Sequence, residues 1–161
     1  MGIDSTAVFD ITLSDEKFLE LACSISEYDI SFQEIFTLET FVKNSWELND
    51  FSEDGDKDLE ISSCWPFGLF QTGKQPFSLW NLSRWKRITQ KERYHYDEFL
   101  NSSRLVGKII GATRVIYLSD YLYEEICEQT PYLTFDNLLQ KLQSMNQEEE
   151  YWKVFFYEKL E

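Results

Sequence analysis

Apolar residues recur at the helical spacing in four stretches of the chain. Ser14 is followed by Asp15 and Glu16, acids suited to a first helical turn, and then by Phe18, Ala22 and Ile25, with Leu19 and Leu21 beside them. Ser31 and Glu34 form a capping box flanked by Ile30 and Ile35, and Leu38, Val42 and Trp46 continue that face. Ile30, Phe32, Phe36 and Leu38 also fit alternation, so helix and strand both stay open for 30–47. Ser119 precedes Asp120 and a helical stretch to about Gln129, which stops before Pro131. Thr134 caps the next, with Leu133 and Leu138 as its staple and Phe135, Leu138, Leu142 and Met145 as its apolar stripe.

Strands are expected at Leu59–Ser62, Phe67–Gln71, Ser78–Leu82, Thr113–Leu118 and Tyr151–Tyr157, the last of which could equally be helical. Thr113–Leu118 has the strongest signal, being β-branched and bounded by Gly111 and Ser119. Helices at both ends with strands between them imply an α+β fold, with helices packed on a mainly antiparallel sheet. The 161 residues suit one domain spanning 1–161, and neither a repeat nor a low-complexity linker interrupts them. Thirteen Phe, nine Tyr and five Trp supply the material of a packed core rather than of an acidic tail.

Charge adds what the pattern lacks. The net charge of −14 is unevenly spread. Residues 1–60 hold 16 acids against Lys17, Lys43 and Lys57, and 117–161 hold ten acids against Lys141, Lys153 and Lys159. Between them, 61–116 hold nine bases against Glu92, Asp97 and Glu98. Such segregation bears on partners rather than on fold. Cys23, Cys64 and Cys127 are odd in number and widely spaced, which argues for free thiols in a reducing compartment. With no secretory signal and no run of 18 apolar residues, a cytoplasmic location off the membrane is expected. Met1–Thr6 matches the short N-myristoylation pattern, but Asp4, Asp10, Asp15 and Glu16 would be repelled by anionic lipid.

Candidate chemistry is sparse. Gly68 to Lys74 reads as GxxxxGK, yet Gln75 stands where the phosphate loop needs Ser or Thr, and Pro76 is followed by a strand-like run. A hairpin with Gly73 in its turn is the simpler reading. Asp50, Ser52, Asp54, Gly55, Asp56 and Asp58 fall on EF-hand loop positions, but Ile61 replaces the bidentate Glu and Lys57 an apolar residue, so an exposed acidic loop without metal is expected. Cys64, His95 and Asp97 could form a thiol triad only if the fold brought them together, and a single His without CxxC gives no typical zinc site. No cofactor and no catalytic constellation are expected.

From Lys74 to Arg93, six bases meet Glu92 alone, with Trp80, Trp85, Tyr94 and Tyr96 interleaved or adjacent. That is the footprint of a nucleic-acid-associated module, held by segment 74–96. Against it, a −14 molecule repels phosphate at long range, and the aromatics also suit a core. An enzyme with an unreadable site is the other alternative. The expectation is a non-catalytic acidic protein that binds and neutralises a basic macromolecular partner, a nuclease-type toxin foremost. Its physical profile resembles that of bacterial immunity proteins and of proteins that mimic DNA. The expected contact residues are Trp46, Glu47, Asp50, Glu53, Asp54, Asp56, Asp58 and Glu60, and separately Glu125 and Glu128. On the second segment Leu122 and Ile126 should face the core and leave the two glutamates to solvent.

Overall fold

A computed structural model of the chain describes residues 2–14, 48–50, 58–61, 67–72, 76, 78–130, 133–145 and 150–161. Seven strands run β1 (Asp4–Phe9), β2 (Leu48–Asp50), β3 (Asp58–Ile61), β4 (Phe67–Thr72), β5 (Ser78–Arg84), β6 (Arg114–Ser119) and β7 (Phe156–Lys159). They form one sheet in the order β2-β3-β4-β5-β1-β6-β7, and every neighbouring pair is antiparallel. The described helices are α1 (Trp85–Thr89), α2 (Arg93–Ile110), α3 (Asp120–Gln129) and α4 (Phe135–Ser144), with a 3₁₀ turn at Tyr151–Lys153. The fold is α+β, and none of these helices is long and apolar enough to cross a membrane.

Successive strand residues point to opposite sheet faces, and here both faces are covered. Ala7, Phe9, Val115 and Tyr117 meet Trp85 and Ile88 of α1 and Phe99, Leu100 and Val106 of α2. Their neighbours Val8, Ile116 and Leu118 meet Leu122 and Ile126 of α3 and Phe135, Leu138 and Leu142 of α4. All six residues of β1 are consequently buried, Ser5 and Thr6 included. Each large apolar side chain so enclosed is worth about 1.5–3 kcal/mol.

The two caps read from Ser119 and Thr134 are formed. Ser119 Oγ accepts from the N–H of Leu122 at 3.1 Å, and Thr134 Oγ1 from that of Asn137 at 3.1 Å. The strands at 59–62, 67–71, 78–82 and 113–118 are present within two residues of the expected bounds. The 151–157 segment differs: its first half is the 3₁₀ turn, and the strand begins only at Phe156. The helices expected after Ser14 and Ser31, and residues 30–47 generally, lie outside the described residues.

The hydrophobic pattern gave no notice of β1 or α2. The α2 helix shows its backbone twice. Gly107 approaches β1 so closely that a Cβ there would lie 2.9 Å from Phe9 Cε1 and 2.5 Å from Leu160 Cδ1. Gly111 ends the helix at φ 77°, the left-handed conformation that glycine adopts most readily.

Candidate protein-docking surface

The first turn of α3 is pinned from three directions. Besides capping the helix, Ser119 Oγ donates to the carbonyl of Trp152 at 2.8 Å, drawing the 3₁₀ turn against it. Asp120 Oδ1 accepts from the N–H of Asp4 at 2.9 Å, and Arg84 Nη1 donates to Asp4 at 2.9 Å. From the opposite sheet face, Trp85 Nε1 donates to the carbonyl of Tyr151 at 3.0 Å.

With Leu122, Tyr123 and Ile126 turned to the core, α3 presents its other side to solvent. Tyr121, Glu124, Glu125 and Glu128 are all exposed there, at spacings of three, four and seven that make one helical stripe. Tyr121, 53% exposed, meets Trp152 edge-on with ring centroids 5.3 Å apart. Lys153 Nζ lies 4.8 Å from the Trp152 ring centroid, and Tyr151 is exposed beside it. Burial, with Asp120 and Glu128 nearby, holds the Glu124 carboxyl above the usual carboxylate range. Like charges are thus crowded on a rigid helix beside two aromatic rings.

Glu125 and Glu128 therefore sit as expected, while Leu122 and Ile126 face inward. Tyr121 and Trp152 went unread as part of this surface. Tyr121 was detectable from its spacing to the glutamates; Trp152 reaches it through a tertiary contact with no local sequence signal. Of the other acidic cluster, Trp46, Glu47, Glu53, Asp54 and Asp56 lie outside the described residues. Asp50, Asp58 and Glu60 do not ride on a loop: Asp50 ends β2, opposite Leu59, and Asp58 and Glu60 belong to β3. β2 thus leads into the EF-hand-like spacing where a helix would be needed, and β3 takes up its last four positions as strand. In the sheet order β3 stands three strand steps from β1, about 14 Å. The two acidic clusters are not brought together there by sheet pairing.

The other motifs resolve in structural terms. Gly68 to Thr72 of the GxxxxGK stretch is extended β4, paired antiparallel with β5, as a hairpin requires. His95 Nε2 lies 2.8 Å from Arg87 Nη1. A guanidinium only donates, so this nitrogen accepts and the ring proton sits on Nδ1. Cys64 lies outside the described residues, and burial pushes the Cys127 thiol up to about 11, which keeps it protonated at neutral pH. Of the aromatics in and beside the basic segment, Trp85 and Phe99 are fully buried core residues. No family model, curated protein or solved structure matches the chain.

Proposed function

We propose that this chain acts without catalysis, docking the acidic and aromatic side of α3 onto a basic macromolecular partner and neutralising it, as an immunity or inhibitor protein does against a nuclease-type toxin. The observation that carries the reading is the stripe of Tyr121, Glu124, Glu125 and Glu128 with Trp152 against it. Opposite charge steers the encounter, and aromatic side chains anchor it with little rotamer entropy to lose. A cationic partner would also offset the like charges of Asp120, Glu124 and Glu128. Glu47, Asp50, Glu53, Asp54, Asp56, Asp58 and Glu60 remain candidate contacts for the same partner. The role belongs in the cytoplasm, where free thiols persist and where a toxin acting on nucleic acid would be met.

The test is a pull-down from native lysate with wild-type protein and an E124K/E125K/E128K variant, followed by on-rate measurements on the partner recovered. A stoichiometric basic protein held by the wild type and lost in the variant is the expected result. Its on-rate should fall steeply between low and physiological salt. On-rates flat across that range, or equal capture by the variant, would sink the electrostatic account. Reversing Asp54, Asp56 and Asp58 to Lys in a separate variant shows whether that cluster takes part: a loss of tenfold or more, about 1.4 kcal/mol, would place it in the interface.

A further inference from the structure

The bases between 84 and 93 fall into two groups. Arg84 is engaged by Asp4 at 2.9 Å, and Arg87 by His95 and, at 3.8 Å, by Glu92. Lys86, Lys91 and Arg93 are exposed and make no ion pair among the described residues. At the α1–α2 corner Lys91, in the left-handed region at φ 53°, turns the chain from α1, which carries Lys86, into α2, which opens with Arg93. Glu92 stands at the N-cap of α2 but makes no side-chain cap bond, and no acid follows in the first turn, so the helix end keeps partial positive charge beside these cations. Next to Arg93 in sequence, Tyr94 is 74% exposed, the most exposed large apolar side chain described, and its ring packs edge-to-face with that of His95, centroids 5.9 Å apart.

Charge limits the occupant to an anion, and the corner's size limits it further. A stable protein interface buries more than about 1,000 Å², and exposed ion pairs contribute about 0–1 kcal/mol each. Three cations and one tyrosine would make up only a small part of such an interface. A polyanion differs, because each neutralised phosphate releases condensed counterions, and a few contacts suffice for weak binding. An open tyrosine face among cations selects further, since unpaired bases stack on it while duplex bases and acidic side chains do not. The acidic stripe of α3 belongs to the opposite sheet face, and remote charges are screened beyond about 8 Å at physiological salt. The nearest acids along the chain are Glu92, already beside Arg87, and Asp97 and Glu98, one turn along α2.

We propose that the α1–α2 corner is a weak, sequence-tolerant site for single-stranded nucleic acid, with phosphates on Lys86, Lys91 and Arg93 and one base stacked on Tyr94. This goes beyond the inhibitor role and does not depend on it. Fluorescence anisotropy with labelled dodecathymidylate at 50 mM KCl tests it on the full chain. A dissociation constant of about 1–100 µM is expected, with a log–log salt slope near −2 for about three contacts. Y94A should weaken binding roughly tenfold and Y94W retain it, because the exposed ring serves only as a stacking surface. K86E/K91E/R93E should abolish binding, with circular dichroism checking that each variant folds. Labelled decaglutamate should bind at least tenfold more weakly. No binding at 100 µM protein, wild-type affinity in Y94A or the triple variant, or equal affinity for decaglutamate would overturn the proposal, the last in favour of an acidic protein partner.

Discussion

Arg114 holds Asp10 twice: its backbone N–H donates to Oδ1 at 3.0 Å, and its Nε to Oδ2 at 3.2 Å. Thr113 adds its N–H at 2.9 Å and its hydroxyl at 2.6 Å. Burial alone would raise this carboxyl, but the donated hydrogen bonds outweigh it and hold it below the usual 3.8. A lowered carboxylate contributes stability that is complete above its unfolded value and is lost as pH falls through its folded one. Asp10→Asn should therefore cost about 2 kcal/mol near neutral pH. In urea unfolding from pH 2 to 7, the gap between wild type and variant should close only below about pH 3.8.

Glu124 has the opposite sign. Burial first, then Asp120 and Glu128, hold its carboxyl above the usual 4.5. A raised carboxyl contributes stability below its unfolded value and loses it as pH rises through its folded one. Glu124→Gln should stabilise the free protein at pH 7 by about 0.4–1 kcal/mol, since two like-charged pairs at a spacing of four residues are relieved. Thermal unfolding should show a rise of about 1–3 °C at pH 7 that vanishes below pH 4.5. The same substitution should weaken partner binding, so stability and affinity would move in opposite directions.

Two glycines of α2 separate clash from strain. Gly107→Val must displace Phe9, which is fully buried, although the end of Leu160 can swing aside. A cost of about 1–3 kcal/mol in denaturant unfolding is expected. At Gly111 nothing lies within 4 Å of a new Cβ, but φ is 77°. Gly111→Ala should cost about 1 kcal/mol and Gly111→Asn less, because asparagine tolerates that conformation.

Ser119 and Thr134 both cap helices, yet their removal should differ. Thr134→Ala loses one cap bond, for about 1 kcal/mol. Ser119→Ala loses its cap and the bond to Trp152, for about 2 kcal/mol. It also frees the ring that backs Tyr121. Tryptophan emission and partner affinity should change in the Ser119 variant and stay unchanged in the Thr134 variant.

Legibility followed locality. The caps of α3 and α4 could be read because one hydroxyl and one nearby N–H define each, and the β-branched run bounded by Gly111 and Ser119 marked β6. The α2 helix was hidden because its buried side includes Ser102, Ser103 and Gly107, which break the apolar stripe. Strand β1 was hidden because helices cover both of its faces, so Ser5 and Thr6 are buried as deeply as Val8 and periodicity disappears. On the candidate surface, the outward glutamates followed from helical geometry alone. The Tyr121–Trp152 pair depends on a turn some thirty residues away, and the basic segment could not be divided into engaged and open cations without Asp4 and His95 in place.

The position of β1 has a kinetic consequence. Thr6 is paired with Trp80 on one side and Leu118 on the other, so the earliest described strand lies between two that are synthesised much later. Long sequence separation between partners slows folding, because the entropy of closing the loop is lost before contacts compensate it. The β2–β5 meander can form from neighbouring segments, but β1 can be gripped on both sides only once β6 has left the ribosome. Until then Val8 and Phe9 lack the β6 side of their sheet, the condition under which unpaired strands in slow-forming topologies are most open to wrong pairing.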